Sequence, residues 1–185
     1  TNKPRQLLII VVLTLVYYGT ATLGLKIAPV NVFATLVWPP SGISFVAVLL
    51  FGYRVWPGVF LGAFLANISV GATFPLGLSI GIGNTLEAIF GVYLLRNIAG
   101  IQKSFDGIRD ILAFLFLTVL ASTTVSATIG VISLWANGNI LSADIGNTWL
   151  AWWVGDIMGD LIAAPLLLVW FSRPLKKMQF MQAVE

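Results

Sequence analysis

Six apolar runs, at residues 7–25, 37–51, 55–70, 75–98, 108–136 and 148–171, take up most of this chain and leave short connections between them. A transmembrane helix needs about 20 predominantly apolar residues, so six crossings nearly exhaust a chain of 185 residues and leave little for a soluble domain. Charged side chains make up 9% of the chain and apolar ones 58%, a balance that, with seven tryptophans, no soluble domain of this size keeps in solution. The expected fold class is therefore all-α integral membrane, a bundle of about six transmembrane helices. Residues 1–172 form the membrane domain, and 173–185 a cytoplasmic tail or the start of a linker. The first run, at about 19 residues and without a small-residue cleavage site after it, is a span and not a signal peptide. The second and third runs are short. Pro39-Pro40 places the start of the second helix at Ser41, after an extended, partly embedded approach, so that a half-span is a candidate there.

The basic residues set the orientation. Lys3, Arg5, Arg54, Arg96, Lys103, Arg109, Arg173, Lys176 and Lys177 fall on one side of a six-span arrangement and Lys26 on the other. The positive-inside rule puts both termini in the cytoplasm. Trp38, Trp135, Trp149, Trp152 and Trp153 then gather near the outer interface, and Trp56 and Trp170 near the inner one, as amphipathic indoles prefer. With no cysteine and no histidine, thiol nucleophiles, imidazole proton shuttles and the usual soft metal sites are missing, so neither an enzyme, a metal site nor a cofactor is expected. The net charge of +3 comes from residues flanking apolar runs, which gives no nucleic-acid surface.

Acidic residues inside the spans are the exception to this apolar pattern. Counting about 1.5 Å per residue from the outer end of the sixth span, Asp156 lies about 12 Å deep and Asp160 about 18 Å deep. On the fourth span Asn84 lies about 13 Å deep and Glu87 about 18 Å deep by the same count. Spacings of i, i+3 and i, i+4 put each pair on one helix face, so two helices can present all four groups to one cavity. Asn67, Ser41 and Ser44 lie where they could close its upper part. A carboxylate at the centre of a helix costs about 2.5–3.5 kcal/mol on insertion scales, and no lysine or arginine lies at a matching depth. Either the acids hold protons, or a cation or hydrogen-bond donor from outside completes the site. The competing structural reading makes these residues interhelical glue, at about 0.6 kcal/mol each on average. Pro165 removes the hydrogen bond to the carbonyl of Leu161 and can kink the sixth span below Asp160. The small residues Gly58, Gly62, Ala66, Gly77, Gly81, Ala88 and Gly91 are read as helix packing, and Thr118, Ser122, Thr123, Thr124, Ser126 and Thr128 as interhelical or back-bonding hydroxyls.

Three stretches, WPPSGISFVAVLLFGYRVWPGVFLGAFLAN at 38–67, GNTLEAIFGVYLLR at 83–96 and WWVGDIMGDLIAAPLLL at 152–168, resemble the first type of membrane-associated sensor domain, the MASE family of bacterial signalling proteins. Their landmarks are Pro-Pro-Ser-Gly, the corner at Gly52 to Arg54, Pro57-Gly58, Asn84 with Glu87, and the Gly-Asp repeat. The resemblance implies a multi-pass sensor in the bacterial inner (plasma) membrane ahead of a cytoplasmic histidine kinase, diguanylate cyclase or related output, and a homodimer in the full-length protein. Many family members have more than six spans. A start at Thr1 and an end at RPLKKMQFMQAVE lead us to expect a piece of a longer protein. The expected function is reception of an extracytoplasmic small ligand or a membrane protein partner in an acidic intramembrane cavity. Glu87, Asp156 and Asp160 are the expected acceptors, Asn84 and Asn67 orient the ligand, Ser41 closes the site, and Trp152 or Trp153 forms a stacking wall. The alternative is the substrate-binding membrane component of a small-molecule, vitamin-type transporter.

Overall fold

The computed structural model describes residues 3–27, 33–101 and 107–172, and it is all-helical. Four segments are long and apolar enough to cross a membrane: Lys3–Lys26, Phe74–Asn97, Ile108–Ala136 and Ser142–Phe171. They contain helix α1 (Lys3–Ile27), helix α4 (Phe74–Asn97), the continuous rod formed by α5 (Ile108–Ala113), a π-helical stretch (Phe114–Ser122) and α6 (Thr123–Ala136), and helix α7 (Ile145–Ser172). Between α1 and α4 lie two shorter helices, α2 (Pro39–Phe51) and α3 (Trp56–Ser69). At 13 and 14 residues each reaches about 20 Å, short of a hydrocarbon core of about 30 Å. The short second and third runs thus form short helices, and α2, preceded by extended chain, has the form of the half-span that the Pro-Pro pair suggests.

Helix α2 begins inside the bundle. Its N-cap is Trp38, and Pro39 and Pro40 take the first helical positions. A helix start strands its first backbone N–H groups, which is costly where no water can reach them. Prolines have no N–H to strand. The Trp38 N–H donates to the carbonyl of Gly155 in α7 at 2.9 Å, and the Ser41 N–H to the carbonyl of Trp38 at 3.2 Å. The helix therefore starts at Pro39, two residues ahead of the expected Ser41, and the adjacent prolines permit a start at this depth. Nine of its 13 residues are buried, so α2 is apolar all round and presents almost no face to lipid.

The far end of α2 is stopped by Gly52, at φ 85, a backbone region that β-carbon-bearing residues avoid. Arg96 of α4 donates to the carbonyl of Leu49 at 2.6 Å, occupying one of the terminal acceptors that α2 leaves open, and its guanidinium lies 5.7 Å from the centre of the Tyr53 ring. Phe51 meets Phe171 of α7 edge to face at 6.5 Å. Helices α2 and α7 thus run parallel, side by side, from the middle of α7 to its end.

The other helix pairs follow from small residues at their crossings. Gly58 seats on Ile10 and Leu13, and Gly62 on Tyr17, while Gln6 donates to the carbonyl of Arg54 at 3.3 Å, so α1 and α3 are parallel. Gly77 against Ile68 and Gly81 against Phe60 make α3 and α4 antiparallel; Gly83 against Ile129 and Gly91 against Ser122 do the same for α4 and the fifth rod. Close backbone approach at small residues is how helices pack in lipid without a hydrophobic drive between them. The side chains of Ser122 and Thr123 back-bond to the carbonyls of Thr118 and Val119 at 2.6 and 2.7 Å, the bland role read for most of that hydroxyl series. One buried cluster surrounds α2, with Phe45, Val48 and Leu49 at its centre. A second, with Leu76, Ile80, Leu134 and Trp152, fills the opposite half of the bundle.

Candidate functional site

The buried polar residues meet where α2 begins. Ser41, on its first turn, donates to Oδ1 of Asp156 on α7 at 2.9 Å. Glu87 of α4 and Asp156 come within hydrogen-bonding reach of one another, and Ser41 and Ser126 reach both carboxyls. Asp160 lies one turn further along α7, buried at 1% exposure beside Asp156 at 0% and Glu87 at 3%. The depth count that paired α4 with α7 therefore finds the same three carboxyls in one place. Trp152 closes one wall and donates its indole N–H to Ser126 of α6 at 3.1 Å.

A second layer holds Asn84. Its Oδ1 accepts from the Tyr17 hydroxyl of α1 at 2.9 Å and from the Trp38 indole at 3.3 Å, and its amide donates back to the carbonyl of Ile80 at 2.9 Å. Tyr17 and Trp38 also meet edge to face, with ring centres 6.4 Å apart. Helix α1 and the segment leading into α2 thus converge on one asparagine oxygen of α4.

Three atoms in this region have no hydrogen-bond partner: Oε2 of Glu87, Oδ2 of Asp156 and Oδ1 of Asp160. Native interiors rarely leave such groups unpaired. The space beside Asp156 is small. A cavity of about 10 Å³ lies between the extended segment 33–38, which supplies Phe33, Ala34, Thr35 and Trp38, and the side chains of Trp152 and Asp156. That is room for about one water molecule.

Two of the expected residues lie elsewhere. Asn67, buried on α3, turns its amide back onto the carbonyl of Ala63 at 2.9 Å. Trp153 stacks on Trp149 with ring centres 5.5 Å apart and donates to the carbonyl of Leu120 at 3.3 Å, on the side facing the π-helical stretch. Two tryptophans expected at the outer interface are buried instead: Trp38 at 7% exposure and Trp152 at 5%. Each has an internal partner for its N–H, Asn84 for Trp38 and Ser126 for Trp152. Sequence reasoning missed Tyr17 altogether and left Ser126 in the packing series. A tyrosine in the middle of an otherwise lipid-facing run is the signal that marks Tyr17, since a buried hydroxyl needs an acceptor.

Residues 7–185 match the family model MASE1. The chain belongs to the MASE1 family. It is a membrane sensory input domain, and the MASE1 match extends over every element that builds the acid site. A curated relative is the probable diguanylate cyclase DgcE of Escherichia coli (strain K12), 27% identical over 172 residues, which are 90% of this chain and 15% of that protein. The chain spans about 15% of the length of that relative. No solved structure matches.

Proposed function

We propose that this MASE1 chain is a multi-pass input domain of a bacterial inner membrane, both ends cytoplasmic, which binds an extracytoplasmic small ligand or membrane partner at Glu87, Asp156 and Asp160. Binding is reported through its C-terminal end to a diguanylate cyclase or kinase output that works as a homodimer. The observation that carries this reading is the set of three unpartnered, buried carboxyl oxygens. An unsatisfied buried polar group costs about 1–3 kcal/mol, and ionisable groups retained at membrane depth mark functional pathways by default.

The route to the output follows from the fold. Ser41 lies on the first turn of α2 and the two aspartates sit on α7, so an occupant of the acids touches two parallel rods near their shared level. Both rods then run to the same end of the bundle, where Phe51 meets Phe171, and Pro165 lies within α7 between the acids and that end. A ligand shifts such an arrangement only by as much as its affinity differs between two states. Replacing Asp160 with Asn in a protein carrying this chain ahead of its output domain tests the reading. The expected result is a several-fold change in output at unchanged protein level; unchanged output contradicts a sensing role for Asp160.

A further inference from the structure

The chemistry of the unfilled positions says what kind of group fits them. The unpaired atoms are carboxyl oxygens, Oε2 of Glu87, Oδ2 of Asp156 and Oδ1 of Asp160, and four donors near them are already engaged: the Trp152 indole on Ser126, the Trp38 indole and Tyr17 hydroxyl on Asn84, and the Ser41 hydroxyl on Asp156. Among the described residues no group of three acidic side chains is placed to hold a metal ion. A compact cation satisfies one or two of them and leaves the rest stranded. Trp38 and Trp152 line the small cavity together with Asp156.

We propose that the acid site takes an organic cation whose N–H donors are spread over more than one nitrogen, a guanidinium, an amidinium or a short diamine, admitted when the segment 33–38 lifts. A planar or extended set of N–H groups matches separated carboxyl oxygens, as a guanidinium fork matches carboxylates generally. The segment 33–38 is the wall that must move, because the cavity it closes holds about one water. The Trp38 N–H bonds the carbonyl of Gly155 in α7, and the segment rests on two glycines, Gly155 beneath the Thr35 carbonyl and Gly159 beneath the Trp38 carbonyl. This identification of ligand class rests on the proposed role of the acids as a binding site.

The test is binding to the whole chain in lipid nanodiscs, followed by tryptophan fluorescence and by the unfolding midpoint. The probes are agmatine, which carries a guanidinium and an amine, tetramethylammonium, which carries charge without N–H, and sodium and calcium ions. The expected result is a saturable fluorescence change and a midpoint raised by several degrees with agmatine alone, both at least tenfold weaker in Glu87→Gln. Because Glu87→Gln keeps the shape of the side chain, and its folding is checked by its own midpoint, loss of response is not loss of fold. An equal response to tetramethylammonium, a response to a metal ion, or no response to agmatine overturns the proposal. If agmatine fails while Asp160→Asn still alters output, the ligand class is wrong and the sensing role stands; if agmatine binds while Asp160→Asn leaves output unchanged, the site is real and the sensing role falls.

Discussion

Asn84 shows how closely the interior is specified at the level of single atoms. One oxygen accepts from both Tyr17 and Trp38, so Asn84→Ala strands two buried donors at once. It is expected to destabilise the chain by about 1–3 kcal/mol, read as a lower unfolding midpoint in detergent, with Tyr17→Phe removing one donor and costing less. The acids themselves were legible in the sequence because helical rise converts residue count into depth, which sets Glu87 level with Asp160 and Asp156 one turn nearer the outside. Their partners were not legible in the same way. Trp38 and Trp152 carry the residue type that favours the interface, and only the path of the backbone reveals that both indoles have internal acceptors. Ser126 looks like its hydroxyl neighbours until α7 lays Trp152 against it.

At the scale of elements, the departure from regular spanning helices is the extended segment followed by half-helix α2. The Pro-Pro pair announced the break, but the depth at which it occurs is set by α7, whose glycines let the incoming backbone lie against it. A β-carbon at Gly159 meets the Trp38 carbonyl, and one at Gly155 the Thr35 carbonyl. Backbone cannot step aside as a flexible side chain can, so Gly159→Ala is expected to cost about 1–3 kcal/mol by overpacking. Gly19→Ala on α1, where nothing lies within 4 Å of the new methyl, is expected to be neutral or to stabilise by up to about 1 kcal/mol through helix propensity. Thermal unfolding of the two variants in the same lipid distinguishes them, and equal effects contradict the seating of the segment on α7. The Gly-Asp repeat thereby acquires a physical meaning: each glycine admits the segment, and the residue after it carries a carboxyl into the interior.

For the whole molecule, the parallel pairs α1 with α3 and α2 with α7 fix which ends lie together. Gln6, Arg54, Phe51 and Phe171 share one end of the bundle, the end the basic residues assign to the cytoplasm. Because the chain contains no cysteine, single cysteines report on this directly. Cysteine at Asn139 is expected to react with a membrane-impermeant reagent added outside intact cells, and cysteine at Arg54 only after the membrane is opened; the reverse pattern inverts the orientation. The most direct test of the acid site as one functional unit is the output of a full-length protein carrying Glu87→Gln, Asp156→Asn, or both. Residues that share a site are not additive, so each single change is expected to alter output and the double change to go no further than the stronger single one. Normal output from both single variants, or effects that simply multiply in the double variant, would contradict a shared receptor site.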